Sequence, residues 1–175
     1  MNEISCFAPI ASEDARVLIL GSMPGVESLN QQQYYAHPRN SFWYIMSSLF
    51  GFELNADYKH RAASLIKNRI ALWDVLNQCI RQGSLDTAIE KDSIIRNDFL
   101  TFFKQHPAIK YVFFNGQKAE REFKRFVLPE LSNKYSHIEY QVLPSTSPAM
   151  ASLSKSQKLE IWQQVKNCLE ESTHG

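Results

Sequence analysis

The sequence predicts an α/β protein, a three-layer α/β/α sandwich around a four-stranded parallel sheet. Three observations lead there. Short apolar runs of strand length alternate with segments of helical period, the order that builds a parallel sheet from βα units. The first run, Val17-Leu-Ile-Leu20, is apolar throughout rather than at every second residue, as a strand covered on both faces requires. The chain has 175 residues, the size of one domain with core enough to stand without staples, so residues 1–175 are expected to form a single unit.

Taken in order, residues 16–20 (RVLIL) read as the first strand, stopped by Gly21. Residues 41–50 place Phe42, Ile45, Met46, Leu49 and Phe50 on one helical stripe, ended by Gly51. Residues 58–67 form a second helix and 70–76 (IALWDVL) a second strand. A helix over 92–105 follows, with Asp92 placed to cap it and Pro107 beyond its end. Residues 110–114 (KYVFF) are a third strand, broken at Asn115-Gly116, and 117–126 return to helix. Residues 138–143 are the fourth strand and run into the polar loop 144–148. Residues 154–170 close the chain as an amphipathic helix, with Leu159, Trp162, Val165, Cys168 and Leu169 apolar.

Composition excludes several classes. With 44% hydrophobic and 21% charged residues the chain is neither disordered nor fibrous. A net charge of +1 neither demands nor forbids nucleic acid, so affinity for DNA needs a local surface. Cys6, Cys79 and Cys168 lie far apart, too few and too scattered for a disulfide framework or a zinc or iron–sulfur site. Reduced thiols in a cytoplasmic protein are the expectation, with no metal and no cofactor. Residues 1–10 carry Glu3 and no long apolar core, so no signal peptide is read there, and no run approaches a membrane span.

In a parallel α/β sheet, ligands bind beyond the carboxyl ends of the strands. Three of the four strand runs end there in unusual loops: Gly21-Ser-Met-Pro-Gly25, Asn115-Gly116 and Pro144-Ser-Thr-Ser-Pro148. The first is neither a P-loop nor a dinucleotide fingerprint; it is either a tight turn or a backbone cradle for a ligand. The segment Gln33-Tyr-Tyr-Ala-His-Pro-Arg-Asn-Ser-Phe-Trp43 packs five aromatic or imidazole rings into eleven residues. Phe42 and Trp43 begin a helical stripe and read as core. His37 reads as a structural histidine, and Asn40 either caps the helix beside it or does chemistry. Tyr35 is harder to dismiss as structural, and an aromatic face can stack a nucleobase.

These residues, with Ser28-Leu29, Ala71-Leu-Trp-Asp-Val75, Gly83-Ser-Leu-Asp86, Phe114-Asn-Gly116 and Leu143-Pro-Ser-Thr-Ser-Pro-Ala149, resemble the uracil-DNA glycosylase superfamily. The match is closest to its hypoxanthine (deoxyinosine) branch and runs from about Val17 to the final helix. The resemblance implies a monofunctional glycosylase that hydrolyses the N-glycosidic bond of deaminated bases, chiefly hypoxanthine and also xanthine, acting as a monomer on DNA. Mismatch-specific uracil glycosylases carry a catalytic Asn where this chain has Met23, and other branches place an Asp nearby. Met23 can neither orient nor deprotonate water. In the hypoxanthine branch the implicated group is the Asn of the His-Pro-Arg-Asn block, which maps onto Asn40. The final loop also lacks the His that several uracil-removing branches carry.

Excision from a duplex requires the base to be flipped into a pocket. The resemblance then implies Tyr35 as the stacking ring, Asn115 as the reader of the base edge, and the Gly21, Ser22 and Met23 turn as the base-binding floor. Arg39, Ser145, Thr146 and Ser147 are the expected DNA contacts, with Met150 as the wedge that fills the vacated stack and Leu153 as second choice. For Asn115 the structural alternative is a turn residue of Asn-Gly; for Arg39 it is a carboxylate pair. Lys118, Arg121 and Arg125 alternate with Glu120 and Glu122 and read as a solvated face. No Lys occupies a motif position, which argues against a Schiff-base lyase. Competing readings are a uracil or mismatch glycosylase, a non-catalytic damaged-base binder, and a nucleotide-binding α/β enzyme, the last disfavoured by the absent P-loop lysine.

Overall fold

The computed structural model describes residues 3–80 and 95–171. Its centre is the expected parallel sheet, formed by β2 (Val17–Gly21), β3 (Ile70–Asp74), β6 (Tyr111–Asn115) and β7 (Glu139–Leu143) in the order β3-β2-β6-β7. All three pairings are parallel, with Gly21 beside Asp74 and Asn115 beside Leu143. Because the side-chain period of a strand is two, each strand feeds both faces. Leu18, Leu20, Trp73, Val112 and Phe114 pack one way, against Phe99, Phe102 and Phe103 of α4 (Phe99–Gln105) and Phe123 of α5 (Gln117–Phe126). Val17, Ile19, Ile70, Leu72 and Phe113 pack the other way. There they meet Phe42, Ile45, Met46 and Leu49 of α2 (Phe42–Phe50), Leu65 of α3 (Tyr58–Lys67), and Trp162 and Val165 of α6 (Lys155–Glu171). That is the three-layer sandwich, and each of these large buried side chains contributes on the order of 1.5–3 kcal/mol.

The chain leaves β2 toward β3 on one side and returns to β6 on the other. The sheet therefore reverses its winding between β2 and β6, where such folds open a crevice beyond the strand ends. Gly21 and Asn115 are the last residues of those two strands.

Local signals explain most boundaries. Gly51 ends α2 with φ 74°, its N–H bonded to the Ser47 carbonyl, and Asp57 caps α3 by accepting from the His60 N–H. Gly116 caps α5 at φ 96°, a conformation disfavoured for other residues, and a Cβ there would lie 3.1 Å from the Ser145 Cβ.

Three features differ from the sequence expectation. The strand expected over 70–76 divides at Val75: β3 ends at Asp74, and β4 (Leu76–Ile80) turns away into a small antiparallel sheet with β1 (Glu3–Ser5) and β5 (Ile95–Arg96). The helix expected over 92–105 begins only at Phe99. Asp98 caps it by accepting from the N–H and hydroxyl of Thr101, while Ile95–Arg96 is strand. The proposed cap Asp92 lies outside the described residues, as does the Gly83–Asp86 motif. A short helix, α1 (Val26–Gln31), follows the glycine turn, where no helical stripe is read in the residues. Among the described residues no helix is long and apolar enough to cross a membrane.

Trp162 closes the second layer: it is fully buried, stands edge-on to Phe42, and its Nε1–H donates to the Pro144 carbonyl at 2.9 Å. Trp162→Ala is expected to cost about 3–5 kcal/mol in urea unfolding. Trp162→Phe should recover most of that stability while leaving the 144–150 loop without its hydrogen bond.

Candidate functional site

A cavity of about 300 Å³ opens at the switch point, at the small end of the ~300–1,000 Å³ typical of small-molecule sites. Its walls come from the strand ends, the glycine turn, the aromatic block and the 145–149 loop.

Gly21 forms part of the floor, and it is glycine because of what stands over it. A Cβ at this position would lie 2.6 Å from Asp74 Oδ1 and 2.8 Å from the Tyr35 hydroxyl. Met23 is 8% exposed and lines the same space. Ser22, expected beside it, is buried off the cavity wall.

The aromatic block splits its residues between core and cavity. Tyr34 is buried, bonded through its hydroxyl to the carbonyls of Phe7 and Ala8, and its own carbonyl accepts from Trp43 Nε1 at 2.8 Å. Burial pushes the Tyr34 phenol far above its ordinary range, and the charge of Asp74 pushes the same way. Tyr35 turns outward. Its φ of 54° is left-handed, a conformation that costs a bulky residue on the order of 1–3 kcal/mol. In exchange its ring lies against Phe42, centroids 4.3 Å apart, and borders the cavity.

His37 and Asn40 line the cavity from a tight turn in which the Asn40 N–H donates to the His37 carbonyl. His37 Nδ1 accepts from the Arg39 N–H at 3.0 Å, which places the neutral ring's proton on Nε2. Asn40 Oδ1 accepts from the Phe42 N–H at 2.9 Å. The bond closes a turn from Asn40, one position ahead of the N-cap Ser41, onto the first residue of α2, and because a backbone N–H can only donate, it fixes which end of the amide is oxygen. Nδ2 is left as a donor.

Asn115 is held more tightly. Its Oδ1 accepts from the Thr146 N–H and its Nδ2 donates to Thr146 Oγ1, both at 2.9 Å. The amide cannot flip without setting N–H against N–H. It presents one further lone pair on oxygen and one further hydrogen on nitrogen, in a fixed order.

Thr146 is therefore not a surface hydroxyl. It is 1% exposed, and its carbonyl accepts from the Ser41 N–H and hydroxyl at the start of α2. Around it the loop is self-braced: Ser145 Oγ accepts from the Ser147 N–H, and Ser147 Oγ from the Ala149 N–H. Lys158, buried behind the loop, donates to the Ser147 carbonyl at 3.3 Å, and burial pushes its amine below the ordinary lysine value. Ser145, Thr146 and Ser147 border the cavity. Arg39 is exposed and Met150 half-buried, both outside the cavity lining.

The structure thus gathers Gly21, Met23, Tyr35, Asn40, Asn115, Ser145, Thr146 and Ser147 into one site. It adds Asp74, a carboxyl 3% exposed that lines the cavity. Its signal was present in the sequence: an acid inside the apolar run IALWDVL has no place in a strand buried on both faces unless it is used. Among the described residues that line the cavity there is no Lys or Arg.

Gly21→Ala drives a methyl into the Asp74 carboxyl and the Tyr35 hydroxyl, and is expected to cost about 1–3 kcal/mol in urea unfolding. The same change in a Tyr35→Phe background should cost less, since one of the two clashing oxygens is gone.

Comparison with known proteins agrees with this architecture. The family model of the uracil DNA glycosylase superfamily matches residues 8–166. A curated hypoxanthine DNA glycosylase of Methanosarcina acetivorans is 36% identical over 160 residues, 91% of this chain and 95% of that protein. Another, of Methanosarcina barkeri, is 40% identical over 114 residues, 65% of this chain and 71% of that one. The NMR solution structure of a Methanosarcina acetivorans protein, provisionally assigned as a uracil DNA glycosylase, superposes with a TM-score of 0.79 at 34% identity, covering 97% of this chain and 99% of the other. With the family model spanning nearly the whole length and the strand ends carrying the site, this chain belongs to the uracil DNA glycosylase superfamily.

Proposed function

We propose that this protein is a monofunctional DNA glycosylase for deaminated purines, hypoxanthine first and xanthine second, acting on cytoplasmic DNA as a monomer and without a cofactor. The observation that carries the reading is the locked Asn115 amide beside Asn40 in a cavity of base size. Hypoxanthine offers an N–H donor next to a carbonyl acceptor, which the oxygen and nitrogen of one amide answer together. Adenine offers the same pair in reversed order. A freely turning Asn would take either; one clamped by Thr146 favours one order. The names of the curated relatives support the same substrate.

In this reading Tyr35 stacks the flipped base, with Phe42 backing its ring, and Gly21 and Met23 form the floor. Asn40 is a neutral amide and no base. It positions the attacking water and stabilises charge as the glycosidic bond opens. The absence of Lys among the described cavity residues supports hydrolysis over Schiff-base chemistry. Arg39, Ser145 and Ser147 contact phosphate, Met150 enters the stack, and Thr146 serves by holding Asn115.

Uracil shares the donor–acceptor order of hypoxanthine, so Asn115 alone does not reject it. Incubation with duplexes carrying hypoxanthine, xanthine or uracil, followed by alkaline cleavage of abasic sites, ranks the three. Intact strands throughout, with binding retained, would identify a damaged-base binder instead.

Asn40→Ala and Asn40→Asp are expected to lose most base release in single-turnover assays while binding of the damaged duplex survives; near-normal rates in both would remove Asn40 from the chemistry. Asn115→Ala should weaken selectivity between hypoxanthine and adenine more than general DNA affinity. Met150→Ala should slow excision from a stable duplex more than from a single strand, where there is less stacking to replace. Equal slowing on both would make Met150 part of the protein core.

A further inference from the structure

The chemistry above leaves the buried carboxyl of the cavity, Asp74, unused. Asp74 ends β3 with its backbone pinned from both sides: its carbonyl accepts from Asn97 Nδ2 at 2.7 Å, and the next N–H, of Val75, donates to the Gly21 carbonyl at 2.8 Å. The side chain leans over Gly21 into the cavity, beside the Tyr35 hydroxyl. Strand order β3-β2-β6 then sets Asp74 and Asn115 on opposite sides of the Gly21 floor, two strand spacings or roughly 9–10 Å apart at the backbone. A planar base set over Gly21 would meet the amide with one edge and the carboxyl with the other.

The reaction needs something at that other edge. A purine departing from its sugar as an anion is a poor leaving group, and a proton on its imidazole ring removes that charge. Neither Asn40 nor Asn115 has a proton to give. The titratable groups around Asp74 are the Tyr35 and Tyr34 phenols and the Cys6 thiol, with Glu27 and His37 further along the cavity. Glu27 is bonded to Gln31 Nε2 at 2.7 Å on the exposed side. Burial pushes both the Cys6 thiol and the Tyr34 phenol up, so neither is an acid near neutral pH.

Resting on the glycosylase reading, we propose that Asp74 is the general acid of the reaction and protonates N7 of the flipped purine. The Asp74 O–H bond breaks as N7–H forms. The C1′–N9 bond breaks with its electron pair going to the base, which leaves neutral. Water held by Asn40 adds to C1′ of the sugar cation, and the proton it sheds returns to the Asp74 carboxylate through solvent. Nothing is oxidised or reduced, and the products are free base and abasic DNA.

The test is single-turnover excision of hypoxanthine from a duplex, at saturating protein across a pH series, with wild type, Asp74→Asn, Asn40→Ala and Asn40→Asp. Asp74→Asn should lower the rate about 10²–10⁴-fold with Kd for the duplex changed less than about threefold. The wild-type rate should fall as pH rises and the acid loses its proton; that limb should be missing from the variant. A variant within about threefold of wild type, one that keeps the high-pH limb, or one whose loss lies wholly in Kd overturns the assignment. Loss in the Asn40 variants with an active Asp74→Asn overturns this inference alone, whereas wild-type rates in the Asn40 variants as well sink the site reading itself. A measurement free of mutation guards against misfolding. A duplex with 7-deaza-2′-deoxyinosine, which has no N7 to protonate, should bind wild type as hypoxanthine does yet release no base. Its cleavage within about tenfold of the normal substrate would overturn the proposal.

Discussion

The site depends on what Thr146 does with its backbone and hydroxyl. Its N–H and Oγ1 hold both ends of the Asn115 amide, and its carbonyl takes the N–H and hydroxyl of Ser41. One buried residue thus ties the end of β6 to the start of α2, where Asn40 sits. Each bond is worth only about 0.5–1.5 kcal/mol net, but a buried amide with the wrong partners costs more than that. The arrangement is accordingly all or nothing. Loop, strand end and helix start must arrive together, and Trp162 and Lys158 hold the loop in place from behind.

That clustering follows from the sheet. Strands buried on both faces offer side chains only to core, so polar groups collect where the strands stop. Gly21, Asp74 and Asn115 are the last residues of three adjacent strands. Tyr35 shows what the site demands of the backbone around it: a left-handed tyrosine is tolerated because Phe42 and the buried Tyr34–Trp43 pair fix its surroundings.

Much of this was legible in the residues. The layers, the parallel sheet and the rim followed from periodicity, and Tyr35 stood out as an aromatic ring hard to read as structure, whereas Asn40 and Asn115 also read as a helix cap and a turn residue and drew their expected roles from the family resemblance. What was hidden depended on distant partners. Thr146 looks like a loop hydroxyl until Asn115, thirty-one residues away in sequence, is seen to occupy it. Asp74 sat unread inside an apolar run because the split into β3 and β4 at Val75 is set by pairing with β1 and β5, not by local propensity. The late start of α4 has a similar cause: Ile95 and Arg96 are drawn into that small sheet against β4, and Asp98 rather than Asp92 caps the helix.

The fixed Asn115 amide has a consequence for undamaged DNA. Guanine carries the same N–H and carbonyl on that edge as hypoxanthine, and it is abundant in every genome. If Asn115 reads the base edge as proposed, its fixed order protects adenine but gives guanine no protection. The two bases differ by guanine's 2-amino group, so the safety of ordinary guanine rests on how the wall meets that one position. If xanthine is also released, bulk cannot be the criterion, since its oxygen fills the same place. The wall would have to offer a hydrogen there, welcoming an acceptor and turning away a donor, and the fidelity of the whole molecule would come down to the direction of a single N–H or O–H bond.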